Sequence, residues 1–314
     1  MTDKDFLTID KQIELLKSRG MHFGNEERAK KYLAYIGYHR LSLYWNGCLA
    51  DKIKRDRFAG SINFEDILDL YIFDRKMRSF FFEAAERIEI CLKVLFSNVM
   101  SEKHGSNWYL DKNLFASRTD TFYVDGIENK VVVNQQVLLD DLNKTVKKNK
   151  KNNPSLAGFV ELSKTALPSW ELFNLMTFGD FSRTIALVDG AESKAFYENF
   201  ALPKAIADSW IECIVSVRNI CAHYGYFSKR SFSVTPKPLN KSKKRTFSID
   251  FAGYLYKFYT QYFIFAYFLG KISPTTSWMQ RVKDLIEAYK ENPHISYEIL
   301  GFPDNWMEME PFKQ

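Results

Sequence analysis

Glycine (14) and proline (9) are scarce among these 314 residues, so the chain has few points at which a helix must stop. Cysteine is scarcer still. Cys48, Cys91, Cys213 and Cys221 form no Cys-x-x-Cys pair and no zinc spacing, which removes a zinc-finger reading and leaves no disulfide framework. Each falls in a segment that reads as helix, where a buried free thiol is expected. No apolar run reaches the ~20 residues that a membrane span needs. The most apolar window, Phe258 to Leu269, is shorter and contains Gln261, so it reads as a core helix. The first residues, Met1-Thr2-Asp3-Lys4-Asp5, lack the basic region and apolar stretch of a signal peptide, and a reducing cytoplasm is expected.

Bulky apolar side chains take the place of the breakers. The chain is 46% hydrophobic and 26% charged, with 27 Phe and 17 Tyr. Such a composition supports a real core, and few breakers with many large side chains favour long helices packed on one another. The expected fold class is all-α. The net charge of +6 and the isoelectric point near 8.9 are compatible with an anionic partner such as RNA.

Thr8 caps an amphipathic run closed by Gly20, Asn25 caps a second to Gly37, and a third short helix is expected over Tyr38 to Ala50. Beyond the basic patch Lys52 to Arg57, Asn63 caps the longest helix, Phe64 to about Met100. It is apolar almost all round and so reads as central. Its charges pair at i,i+4 as Asp74–Arg78, Glu83–Arg87 and Glu89–Lys93. Residues 104–135 read as mixed loop with a short strand at Val131-Val132-Val133. A polar helix then ends in a lysine-rich run, Lys147 to Lys151. Pro168-Ser169 opens a helix through Met176, Gly179 interrupts, and a short helix covers Phe181 to Val188. Pro203 starts the next helix, and Lys237 to Arg245 is a second basic loop. An aromatic helix (Ile249 to Leu269) and a last helix (Thr275 to Tyr289) complete the reading. The division expected is a helical N-terminal region over 1–60 and a helical domain over 61–314, with one compact domain as the alternative.

On the helix from Pro203 to His223, Ile206, Trp210, Cys213, Ile214, Val217, Ile220 and Cys221 fall in a stripe about 120° wide that packs inward. Glu212, Ser216, Asn219 and His223 align on the opposite, polar face. Arg218 and His223 stand about 140° apart around the axis. Gly225 reads as the helix end, which puts His223 in the last turn, where the carbonyl ends favour an imidazolium. Spacing alone is equally that of a helix cap or a solvated end.

The segment Val217-Arg218-Asn219-Ile220-Cys221-Ala222-His223 resembles the Arg-x4-His motif of HEPN-domain ribonucleases. Tyr35-Ile36-Gly37-Tyr38-His39-Arg40-Leu41-Ser42-Leu43-Tyr44-Trp45 is similar to the N-terminal signature of the Abi-like abortive-infection family, its AbiD/AbiF group. Asp69 to Arg78 with Glu86-Arg87-Ile88-Glu89-Ile90 resembles the central helix of that family. Leu167 to Glu171 with Phe178 to Ser182 resembles the element before its motif. The resemblance runs in order over roughly residues 10 to 230. It implies a multi-helix HEPN-type bundle and a phage-defence or toxin-like protein, with metal-independent endoribonuclease activity and no cofactor. It also implies a homodimer, because HEPN nucleases build one site from two motifs. A small RNA or a protein antitoxin is the partner class that restrains such toxins. Where relatives often carry a basic residue after the His, this chain has Tyr224, and Lys229 and Arg230 follow later.

Metal-free RNA cleavage requires a base for the 2′-hydroxyl, an acid for the leaving 5′-oxygen and a cation for the phosphorane. One chain supplies one motif; two chains supply two histidines and two arginines. The catalytic candidates are Arg218, binding the phosphate, Asn219, orienting the imidazole or the phosphate, and His223. The RNA-binding candidates are Lys147, Lys148, Lys229, Arg230, Lys243 and Lys244. The alternative reading is a non-catalytic RNA-binding protein in which the runs Lys147 to Lys151 and Lys237 to Arg245 hold the RNA and the motif is vestigial or structural, against solvated loops that hold nothing. Glu86 and Glu89 read as an acid/base or metal pair only against the simpler ion-paired reading. His39-Arg40 is a helix-surface pair, or a second phosphate contact if the N-terminal region folds over the cleft.

Overall fold

The computed structural model describes residues 6–124, 127–240, 249–309 and 311–312. Among them are eleven α-helices and two small two-stranded sheets. The chain begins with α1 (Ile9–Ser18), α2 (Glu26–Tyr35) and α3 (Tyr38–Trp45), the first two capped by the side chains of Thr8 and Asn25. Strands β1 (Met21–His22) and β2 (Ile62–Asn63) pair in parallel and tie this region to the start of α4 (Phe64–His104). The Glu65 carboxylate at that start accepts from the amides of Gly24 and Asn25 at 3.1 and 3.0 Å.

Helix α4 organises the rest. Its 41 residues hold no glycine or proline, so it runs for about 60 Å before Gly105 ends it at φ 82°. Buried positions recur on all sides, from Phe64 to Met100, because α3, α6 (Ser169–Leu175), α9 (Lys204–Ala222), α10 (Phe258–Ile272) and α11 (Trp278–Ala288) all pack on it. Two aromatic nests mark the contact. The Phe81 ring lies 4.8–5.3 Å from those of Phe227, Phe258, Phe265 and Trp278. Farther along, Phe96 lies 4.9–6.3 Å from Trp108, Phe173, Phe181 and Phe196. Most of these pairs meet edge-on, an arrangement that adds to the area each ring buries.

A hairpin of β3 (Arg118–Val124) and β4 (Ile127–Val133) occupies the region read as loop, with Val133 opposite Arg118. It leads into α5 (Gln135–Asn149), which packs on α6. Helix α7 (Phe178–Leu187) packs on α9, and the short α8 (Lys194–Glu198) packs on α4. No helix among the described residues is long and apolar enough to cross a membrane. The cysteines are free, with Cys213 and Cys221 buried and Cys48 and Cys91 half-buried.

Several boundaries differ from the sequence reading for local reasons. The third helix stops at Trp45 and continues only as a tight turn, Asn46–Cys48. Gly179 does not interrupt a helix; it sits in the first turn of α7, whose start is set by a reciprocal cap between Thr177 and Asp180. The aromatic helix begins at Phe258 rather than Ile249. Ahead of it Asp250 folds a turn by accepting from the Ala252 amide, and Gly253 takes φ 88°. Glu83 does not pair with Arg87. Arg281 of α11 grips it bidentately at 3.0 and 2.9 Å, and Arg87 turns to the hydroxyls of Ser273 and Thr276.

One polar side chain lies wrongly for the aromatic core around it. Gln261 of α10 is 1% exposed, and neither amide atom has a hydrogen-bond partner among the described residues. A buried unpaired amide costs about 1–3 kcal/mol. Gln261→Met, similar in volume, is therefore expected to raise the unfolding midpoint by about 2 °C in calorimetry. A lowered midpoint would mean that the amide is satisfied.

Candidate functional site

The apolar stripe of α9 is buried at Trp210, Cys213, Ile214, Val217 and Cys221, and half-buried at Ile206 and Ile220. That burial turns the other face outward, leaving Glu212, Asn219 and His223 exposed and Ser216 half-buried. His223 is the C-cap, the residue just after the last helical residue Ala222, its amide bonded to the Asn219 carbonyl at 3.0 Å. The Arg218 guanidinium lies 5.8 Å above the Phe82 ring of α4 and donates to Asn219 Oδ1 at 3.2 Å. Asn219 thus meets the arginine, and no hydrogen bond joins its side chain to the imidazole.

The turn after the histidine is not the one expected. Tyr224, rather than Gly225, takes the left-handed conformation, at φ 57°. For a non-glycine residue this costs about 1 kcal/mol. The Gly225 amide then closes on the Ile220 carbonyl at 2.8 Å. Glycine is needed there for space: a Cβ would stand 2.9 Å from Ile220 Cγ2.

This turn is held from α3 and α4. Arg40 donates to the Tyr224 carbonyl, and Arg78 donates to the Gly225 carbonyl at 3.1 Å and to Asp74. The fully buried Asp74 carboxylate also accepts from the amides of Phe227 at 3.2 Å and Ser228 at 2.6 Å and from the Tyr44 hydroxyl at 2.9 Å. Burial pushes the Asp74 carboxyl up, while Arg78 and the Ser228 amide pull it back toward the charged form. For Arg78, burial works against the charge, and Asp74 beside it raises the pKa above the usual guanidinium value. Burial, aided by Asp74, also lifts the Tyr44 hydroxyl well above its ordinary range.

A cleft of about 810 Å³ opens where this turn meets α2, α3 and α4. Arg40, Arg75 and Arg78 line it, as do Tyr35, Phe82, Glu83, Glu86 and Tyr224. His223 is flanked by Ala222 and Tyr224, both in the lining. Cys221 also borders the cleft, but burial pushes its thiol up to about 12, which makes it a poor nucleophile. Glu86 and Glu89 do not act as a pair: Glu89 is bonded to Lys93 at 2.7 Å, and Glu86 alone faces the cleft. No group of three His, Cys, Asp or Glu side chains among the described residues is placed to hold a metal ion.

The proposed RNA-binding lysines do not converge on this cleft. Lys147 and Lys148 are exposed at the far end of α5. Lys229 and Arg230 are exposed beyond the turn and line a separate hollow of about 580 Å³ with Lys257 and Glu298. Lys243 and Lys244 lie outside the described residues. Arg40 reaches the cleft while His39 does not line it. Sequence reasoning gave no role to Tyr35, Arg75, Phe82 and Tyr224. The first two lie within the quoted family-like segments, which was the available signal; nothing in the sequence marked Phe82.

Asp74→Asn removes the charge opposite Arg78 and is expected to lower stability in urea titration by about 3–5 kcal/mol, as for other broken buried pairs. Limited proteolysis should cut the variant at 224–228 before any other site. Unchanged stability would show that the pair does not hold the turn.

No curated protein and no solved structure matches this chain. The profile of the family described as Abi-like protein matches residues 31–227, from the middle of α2 to the end of the turn that Asp74 holds. The matched span contains α3, α4, the cleft and the complete Arg218–His223 segment, and on this match the chain belongs to the Abi-like protein family.

Proposed function

We propose that this protein is a metal-independent endoribonuclease of the HEPN type, serving in phage defence as an abortive-infection or toxin-like effector. The observation that carries the reading is the presentation of His223 and Arg218 at one exposed helix end beside an arginine-lined cleft. Membership of the Abi-like family supports the defence role.

His223 takes the proton from the ribose 2′-hydroxyl as that oxygen attacks the adjacent phosphorus. A second imidazole donates a proton to the departing 5′-oxygen, so the products are a 2′,3′-cyclic phosphate and a 5′-hydroxyl. Arg218 stabilises the charge gathering on the phosphorane, with its guanidinium positioned by Asn219 Oδ1 and the Phe82 face. The second imidazole comes from a second copy of the chain. Phe82, Ile90 and Val94 support this: they lie within about 120° of arc on α4 and are 40%, 57% and 50% exposed. Phe82 meets Arg218 of the motif, Ile90 and Val94 follow about two and three turns along with the exposed Glu86 between, and this partly apolar face is a surface that a symmetric partner can cover.

Purified protein should cleave RNA equally with and without EDTA, and His223→Ala should reduce the rate about a hundredfold or more. Unchanged cleavage by that variant would sink the assignment; RNA bound but never cleaved by the parent would favour the non-catalytic RNA-binding reading. Ile90→Glu should give a monomer in light scattering and lose cleavage with it. A fully active monomer would remove the composite site.

A further inference from the structure

Resting on the ribonuclease reading, we propose that the cleft beside the motif holds a single-stranded stretch of RNA. Tyr35 and Tyr224 stack on its bases, Arg40 and Arg75 bind its phosphates, and Glu86 reads a guanine.

The rings come first. Tyr35 at the end of α2 is 89% exposed, and Tyr224 is 69% exposed. Both line the same cleft. Tyr224 occupies a left-handed backbone position that glycine or asparagine takes with less strain. A large ring kept in a strained conformation, exposed and turned to a cleft, has a use there that its backbone does not explain. A paired, stacked duplex offers such rings no base face, whereas an unpaired stretch does.

The charges agree with that ligand. Arg78 is neutralised by Asp74 and Glu83 by Arg281, so neither sets the net charge of the cleft. Arg40 binds only a neutral carbonyl, and Arg75 is exposed with no acidic partner among the described residues. Two uncompensated guanidiniums remain, spaced along α3 and α4 on the approach to Tyr224. Against them stands one carboxylate, Glu86, likewise without a cationic partner among the described residues. It repels phosphate, so its favourable contact with RNA is to base donors. The Watson–Crick edge of guanine presents two adjacent N–H groups that match the two carboxylate oxygens.

The test uses the full chain carrying His223→Ala, so that the probe survives. A fluorescein-labelled single strand of about ten nucleotides, with one guanine among pyrimidines, is titrated by anisotropy beside the same sequence as a duplex. The single strand should bind at least about tenfold more tightly. Tyr35→Ala and Arg75→Ala should each weaken it about tenfold, Tyr35→Trp should restore it, and Arg75→Ala should lower the salt slope by about 0.7. Exchanging guanine for adenine should weaken binding about fivefold or more in the parent and have no effect in Glu86→Gln. Both alanine substitutions replace exposed side chains, so the fold survives them. Equal affinity for strand and duplex, or unchanged binding in both alanine variants, overturns the proposal; base discrimination that persists in Glu86→Gln overturns its guanine reader. If the parent with an intact motif leaves RNA uncut while these binding differences hold, the ribonuclease reading falls and the cleft assignment stands. If cleavage depends on His223 but neither alanine variant binds more weakly, the cleft assignment falls alone.

Discussion

The carboxylate of Asp74 joins parts of the chain 153 and 154 residues apart, and the placement of the motif depends on it. An acid buried inside a helix bundle is costly unless every oxygen finds donors. Here the donors are an arginine one turn later on α4, a tyrosine of α3 and two backbone amides from the segment that follows α9. The same arginine reaches the Gly225 carbonyl. The acid therefore does more than satisfy itself: it sets where the chain turns after His223, and with it how the helix end faces the cleft.

That arrangement explains why the motif helix can end in a strained residue. The left-handed conformation at Tyr224 is compensated by Arg40 on its carbonyl and by the closing bond from Gly225 to Ile220. Three helices distant in sequence thus meet at one turn. The functional groups proposed for the reaction stay on the solvent side, while the groups that fix them are buried beneath.

Much of this was readable in the residues. The period of the apolar side chains on α9 gave the buried and exposed faces, and the i,i+4 spacing gave the Asp74–Arg78 and Glu89–Lys93 pairs. Spacing tells which side chains can reach each other, not which partner wins. Glu83 found a bidentate arginine on α11, which outcompetes a flexible neighbour on its own helix. Nor can spacing reveal that Asp74 accepts from amides after residue 226, because a backbone donor leaves no trace in side-chain pattern. The cleft was missed for a related reason. Its lining comes from α2, α3, α4 and the turn after α9, and only the packing of those elements brings Tyr35, Arg75 and Tyr224 together. The lysine runs that stood out by composition lie elsewhere.

The nest around Phe81 carries the folded unit past the residues that the family profile matches. Residues 31–227 carry the cleft and the motif, yet three of the four rings packed against Phe81 come from beyond them, at Phe258, Phe265 and Trp278. A fragment cut at residue 227 would keep the cleft and the Arg218–His223 segment and lose the wall behind them, exposing the middle of α4 to water. In this chain the unit that must fold together is therefore larger than the matched span, and the later helices are its structural companion.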